Sequence, residues 1–236
     1  MSKAIPLEDN FDWWWYKSKK NYLRFIINQH NFSKPIKILE IGPGKGNNLE
    51  LLKSYGDVSV LEIEKEFIQY LDDKKFIDKT KIFSSFKQLI DKYKFDLIVL
   101  LDVLEHIEDT REFLSNINKI LEDDGRVVFA VPAYQALWSK HDEDLKHIKR
   151  YNWKLVKSEV GYFFDLEKRY AMNYLLLPIR FLQLKLFNSP STLDDTPKTL
   201  NSLLYFFAFI EKILLSARIN PRIGLSLYFI TKKSKN

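Results

Sequence analysis

The chain has 236 residues, 46% of them hydrophobic and 29% charged, and it contains no cysteine. That composition is globular, and it excludes disulfides, thiolate metal sites, iron–sulfur clusters and cysteine nucleophiles. The net charge of +6 is uneven: from Leu166 onward eleven lysines and arginines face four acids, which leaves +7 there and −1 on everything before it. Such asymmetry points to an anionic partner for the last third of the chain, or to a solvated basic face.

Residues 1–33 read as an N-terminal cap with one helix, opened by the aromatic group Phe11, Trp13, Trp14, Trp15 and Tyr16. They lack the apolar core and small-residue cleavage site of a signal peptide. The longest charge-free stretch, Val127 to Ser139, is too short to span a bilayer. The expectation is a cytoplasmic protein with no transmembrane helix.

From Ile36 the pattern alternates. Strands are expected at Ile36–Ile41, Val58–Glu62, Lys81–Phe83, Phe95–Leu101 and Arg126–Val131, with helices at Asn47–Lys53, Lys65–Leu71 and Thr110–Leu121 between them. Phe95–Leu101 is nearly all apolar, as in a central strand covered on both faces. Asp123-Asp124-Gly125 reads as the turn into the fifth strand. Ala133–Tyr151 has no clear period and reads as an ordered loop. A helix over Trp153–Tyr162, a strand over Phe164–Arg169, apolar helices over Ala171–Phe187 and Leu200–Ser216 joined by an Asn188–Pro197 linker, and a last strand over Gly224–Lys232 complete the chain. Strands alternating with helices predict an α/β fold: a doubly wound, seven-stranded, mostly parallel sheet with an N-terminal helix and a helical insert before the last strand. The expected organisation is a single domain over 1–236, with a cofactor-binding core at 34–170, the insert at 171–222, and the last strand and tail at 223–236.

Ile38-Leu-Glu-Ile-Gly-Pro-Gly-Lys-Gly46 ends a strand in three alternating glycines before a helix. Backbone there can turn tightly and approach a ligand where side chains would collide. The spacing differs from the dinucleotide fingerprint and lacks the Gly-Lys-Ser/Thr of a P-loop. Glu62, at the end of the second strand, is placed to accept hydrogen bonds from two ribose hydroxyls, with Glu64 as its substitute; the alternative is a solvated acid opening the next helix.

Together, Glu40-x-Gly42-x-Gly44-x-Gly46, Glu62, Phe95-Asp-Leu-Ile98, Leu104-Glu-His-Ile107 and Leu121-x-x-x-Gly125-x-x-Val128 resemble the successive motifs of the Rossmann-like S-adenosylmethionine-dependent methyltransferases. The resemblance covers Ile36 to Val131. It implies that Glu40 orients the methionine amino group, that Gly42, Gly44 and Gly46 line the methionine and ribose, and that Glu62 holds the ribose. It places Ser85 and Phe86 at the adenine and Asp102 beside the methionine moiety; His106, in a motif the family uses structurally, would shape the cofactor pocket, or else act as a base. Ser85 departs from the acid often found there. Downstream, Trp138-Ser-x-His141-Asp142 and His147-x-x-Arg150-Tyr151 are similar to a bacterial subgroup with a Gly-His-x-Arg-Arg-Tyr stretch, in which Lys146 replaces the usual Gly. That subgroup often accompanies glycan, lipid or polyketide assembly.

Methyl transfer needs an aligned acceptor and, for a hydroxyl or protonated amine, a base. His147 and His141, in the loop after the fifth strand, are the candidate bases; Arg150 would meet an anionic acceptor, or pair with Asp142 or Asp144. Trp14, Trp138 and Tyr151 are candidate acceptor contacts. No cluster has the ligand spacing of a metal site, so a metal-dependent mechanism is not expected. The acceptor class is a small molecule, glycan or lipid. Nucleic acid is not expected, because Leu101-Asp-Val-Leu104 stands where an amino-methyltransferase of nucleic acids has Asn/Asp-Pro-Pro-aromatic. The insert could take an apolar acceptor, dock on the inner face of a membrane, or form a homodimer. The rival reading is a catalytically silent cofactor-binding subunit or membrane-associated scaffold.

Overall fold

The computed structural model describes residues 13–30, 32, 35–187 (183–187 as backbone) and 197–234. Helices α1 (Trp14–Asn28), α2 (Leu49–Lys53), α3 (Lys65–Asp73), α4 (Thr110–Ile120), α5 (Lys140–Asp144), α6 (Trp153–Val160), α7 (Leu177–Phe187) and α8 (Lys198–Ser216) surround strands β1 (Ile36–Ile41), β2 (Gly56–Leu61), β3 (Ile82–Phe83), β4 (Phe95–Leu101), β5 (Leu121–Pro132), β6 (Phe164–Met172) and β7 (Ser226–Lys233). The sheet order is β3-β2-β1-β4-β5-β7-β6. The first five strands are parallel, and β7 runs antiparallel between β5 and β6. The doubly wound, mostly parallel architecture expected from the sequence is therefore present.

Side chains on the central strands alternate between two apolar layers. Ile98, Leu100, Val127, Phe129 and Phe229 pack under α4 and α6, whereas Leu97, Val99, Val128, Tyr228 and Ile230 face Tyr22, Leu23 and Ile26 of α1 and Ala208 and Leu215 of α8. Burying apolar residues on both faces is what a parallel strand between helical layers requires. The order of connection reverses between β1 and β4, so the carboxyl ends of these strands open a crevice at the topological switch point.

Several boundaries differ from the sequence pattern, each for a local reason. Phe95 pairs with Leu121 and Leu97 with Arg126, so the expected turn at Asp123–Gly125 is a bulge within β5. The loop Ala133–Tyr151 holds a 3-10 turn at Gln135–Leu137 and the helix α5. Ala171 and Met172 pair with Leu227 and Ser226, so β6 outruns its expected end at Arg169 and the insert begins after Met172. The Asn188–Pro197 linker, apart from Pro197, and Phe11 lie outside the described residues. By length and composition α8 could cross a membrane, which counting charge-free residues missed, because Glu211 and Lys212 interrupt it. Glu211 is fully buried: it accepts from the Tyr22 hydroxyl at 3.0 Å and from the N–H groups of Asn173 at 2.6 Å and Leu175 at 2.7 Å. That carboxylate ties α8 to α1 and to the segment after β6.

Candidate functional site

The Gly-rich turn leaves β1 with Gly42, Gly44 and Gly46 all at positive φ, the left-handed region that glycine enters without steric cost. A Cβ on Gly42 would stand 2.7 Å from Val103, and one on Gly46 would crowd Leu49 and Leu71. A Cβ on Gly44 would meet nothing within 4 Å. Gly44 is thus the glycine that borders open space, while Gly42 and Gly46 are held small by the protein itself.

Two carboxylates flank this turn. Glu40 is buried; Asn48, at the start of α2, donates to its Oε1 at 2.8 Å, and its Oε2 has no partner. Burial pushes its pKa up to about 7 against the lowering effect of Asn48. A buried carboxylate oxygen without a donor is a place for an ammonium group. Glu62 is fixed by the N–H groups of Ile63 at 2.8 Å and Glu64 at 3.0 Å on Oε1 and of Gly44 at 3.1 Å on Oε2. Oε2 accepts a single bond there, which leaves acceptor capacity for a hydroxyl. Glu64 contributes its backbone N–H. Ser85 opens the 3-10 turn Phe86–Gln88, and the Phe86 ring meets Phe113 edge-on at 5.4 Å. The free Glu40 Oε2 and the open acceptor capacity of Glu62 fit a ligand with an amino group and a ribose.

Across the crevice, β4 ends at Asp102, whose φ of 57° is a strained value for a non-glycine residue. Its carboxylate contacts the Lys19 ammonium from α1. Burial lowers the Lys19 pKa to about 8, although Glu105 acts to raise it. Glu105 and His106 follow in a 3-10 turn, Leu104–His106. Glu105 is completely buried, and neither carboxylate oxygen has a partner from another residue; burial pushes its pKa up to about 8. His106 is partly open to solvent. Burial of the rest of its ring and the neighbouring His147 lower its pKa to about 4, while the Lys146 backbone works the other way. The rings of His106 and His147 meet edge-on at 4.8 Å.

His147 is positioned by the end of α5. Lys146 N–H donates to Glu143 O and His147 N–H to Asp142 O, the paired bonds of a Schellman motif whose left-handed residue is Lys146, at φ 58°. That conformation explains why a glycine suits this position, and it folds His147 back over its own helix. His147 Nδ1 lies 2.9 Å from Asp142 Oδ1. Arg150 clamps the same carboxylate through Nε at 2.7 Å and Nη2 at 3.0 Å, and its Nη1 donates to Ala133 O. Burial alone would raise Asp142, but hydrogen bonds from His147 and Arg150 hold it well below the carboxylate range.

These contacts bear on three sequence expectations. Arg150 spends its guanidinium on Asp142 and Ala133, the Asp142 pairing that the sequence leaves open beside an acceptor role. Tyr151 is fully buried, with its hydroxyl donating to Glu159 at 2.9 Å and lying 3.3 Å from Leu104 O, so it is a core residue. Glu105, His106 and His147 bring three ligand atoms within 4.8 Å of one another, a grouping that spacing along the chain did not reveal. His141 lies in α5 outside that group. Trp138 is half-buried beside the loop, and Trp14 is buried at the start of α1 with its backbone N–H bound to Asn201 of α8. Lys19 escaped the sequence reading altogether, because nothing distinguishes it from Lys17 and Lys20 until α1 is laid across the crevice.

A family model described as a methyltransferase domain matches residues 10–168, well over half of the chain. An S-adenosylmethionine-dependent methyltransferase from Archaeoglobus fulgidus superposes with a TM-score of 0.59 at 20% identity, covering 92% of this chain and 94% of its own. A protein from Pyrococcus horikoshii gives 0.61 at 13% identity, over 98% and 97%. Phosphoethanolamine N-methyltransferase 2 from Haemonchus contortus, in complex with phosphomonomethylethanolamine and S-adenosylhomocysteine, gives 0.58 at 16% identity, over 92% of this chain and 53% of its own. No curated protein matches the sequence.

Proposed function

Because the chain belongs to the methyltransferase-domain family, whose methyl donor is S-adenosylmethionine, we propose that it methylates an oxygen or nitrogen of a small-molecule, glycan or lipid-type acceptor held in the crevice between β1 and β4. When bound, the cofactor supplies a methyl group on an already activated sulfonium. The protein's own work is then to hold the donor, align the acceptor and accept or release a proton. Glu40 would bind the cofactor's ammonium, Glu62 its ribose hydroxyls, and Ser85 and Phe86 its base. The acceptor atom would stand beside Asp102, His106 and His147, under Lys19 and the loop that carries Trp138. His147 suits proton handling: its Nδ1 bond to Asp142 fixes the ring and turns Nε2 toward Glu105 and His106.

The observation that carries this reading is the unpartnered, buried Oε2 of Glu40 beside the open ground at Gly44. An exposed apolar stripe on α8 (Leu200, Leu203, Phe206, Phe209 and Ile213), with Lys198 and Arg218 at its ends, supports a lipid-type acceptor and a peripheral place on an anionic membrane.

Calorimetric titration with S-adenosylhomocysteine tests the donor site. We expect saturable binding to the unaltered chain, weakened at least tenfold in Glu40→Gln, a loss of at least about 1.4 kcal/mol. Unchanged affinity in a folded Glu40→Gln variant would remove Glu40 from the site. No binding at all would refute the assignment of the crevice.

A further inference from the structure

We propose that Glu105, His106 and His147 form a binding site for a divalent metal ion of the zinc or cobalt class, open toward the acceptor crevice. Glu105 presents a fully buried carboxyl group with no hydrogen-bond partner from another residue; burial favours its neutral form, and a bound cation would supply the charge that holds it ionised. His147 Nε2 lies 3.9 Å from Glu105 Oε1, and all three ligand atoms lie within 4.8 Å of one another. Ligands around a tetrahedral zinc ion stand about 3.4 Å apart, so small side-chain rotations close the set.

The outer contacts support the same reading. Imidazoles that bind metals hold their second nitrogen on a carboxylate or a backbone carbonyl, which fixes the ring and frees the other nitrogen as a ligand. His147 shows that arrangement: its Nδ1 rests on Asp142, itself locked by Arg150 and by the Ser139 N–H at 2.8 Å. Two nitrogens and one oxygen, with no sulfur in the chain's ligand repertoire beyond methionine, favour a borderline ion over calcium or magnesium. The charged groups facing the site are Lys19, Asp102, Asp142 and Arg150. Lys19, in contact with Asp102, brings a positive charge close to the site and must withdraw when the ion enters. His106 is partly exposed, which leaves the fourth position to water or to the acceptor. Resting on the proposed acceptor position, the ion would occupy His147 Nε2 in place of its proton-handling role and lower the pKa of an acceptor hydroxyl bound to it, with the released proton passing to solvent.

The test is titration of the chelator-treated full chain with Co²⁺, read by its visible d–d absorption and by calorimetry, without cofactor or acceptor. We expect saturation at a single equivalent. The bands should be lost in Glu105→Gln and in His106→Ala, affinity should fall about 10- to 100-fold in Asp142→Asn, and it should rise several-fold in Lys19→Met. His30→Ala, whose ring sits beside Glu167 at the opposite end of the sheet, should leave the titration unchanged. Circular dichroism establishes that each variant is folded. Absence of saturable binding to the folded wild-type chain overturns the site, as does retention of the same bands and affinity by the folded Glu105→Gln and His106→Ala variants. Neither result depends on the binding of S-adenosylhomocysteine, so the donor site stands or falls separately.

Discussion

In the proposed donor site Glu40 would exchange a proton for the ammonium of its ligand. Burial raises its pKa to about 7, so below that pH the free protein carries Glu40 largely neutral. An ammonium partner favours the carboxylate, and binding is therefore linked to proton release. The sign follows: affinity for S-adenosylhomocysteine rises with pH, at most tenfold per unit, from about pH 5 to 7, and then levels off. At pH 6 the binding enthalpy should vary with the ionisation heat of the buffer, and that variation should vanish in Glu40→Gln. A flat pH profile with a buffer-independent enthalpy would show that Glu40 does not change its charge on binding. The placement of these candidate residues at one turn is legible in the sequence because Glu40, the glycines and Glu62 lie on one strand–turn–helix–strand unit whose geometry is nearly fixed by chain order. Lys19, Glu105 and His147 come from α1, the end of β4 and the loop after β5, and local spacing carries no information on their meeting.

At the scale of elements, the loop between β5 and α6 decides how the crevice is furnished. Its helix α5 has only five residues, too short to show a period, so the sequence shows only an ordered loop there. What organises it is capping: the Ser139 N–H and hydroxyl reach Asp142 at 2.8 and 3.2 Å, and the Schellman turn at Lys146 returns His147 to the same carboxylate. By contrast β4 was legible to the residue, Phe95–Leu101, since burial on both faces writes an unbroken apolar run. β6 was misjudged at its end because Tyr170-Ala-Met172 is as compatible with an apolar helix as with a strand until β7 pairs with it. Lys146 is exposed and strained, and its backbone geometry is one that glycine adopts freely. Lys146→Gly should therefore stabilise the fold by about 0.5–1 kcal/mol, once relief of left-handed strain is set against the extra freedom of an unfolded glycine. Urea unfolding checks this through the midpoint at constant m-value. A loss of stability would mean that the lysine side chain makes a compensating contact worth more than the strain.

For the whole molecule, charge and apolar surface are disposed on the same side of the chain's organisation. The segment from Leu166 carries +7, and it also holds the insert, where Phe206 is 55% and Ile213 53% exposed on α8, with Ile179 and Leu182 exposed on α7. The inward side of α8 is satisfied by Glu211, Ala208 and Leu215, so the outward stripe serves no packing purpose within the described residues. Apolar side chains at helical spacing, flanked by Lys198, Lys212, Arg218 and Arg222, match the chemistry of an anionic lipid surface, where buried apolar area and basic residues act together. Arg180 of α7 donates to Ser139 at 3.1 Å, so the insert touches the loop that bears Asp142 and His147, and a lipid surface there would lie beside the crevice. Flotation with vesicles should show binding to phosphatidylserine-containing membranes and little to neutral phosphatidylcholine, with the bound fraction falling as salt rises. Phe206→Ser with Phe209→Ser should abolish it while leaving unfolding stability nearly unchanged, since both rings are solvent-facing. Equal binding to both lipids would assign the stripe to apolar contact alone. A chain that ignores both vesicles but doubles in mass by light scattering, and is returned to monomer by the same two substitutions, would assign the stripe to a second copy of itself.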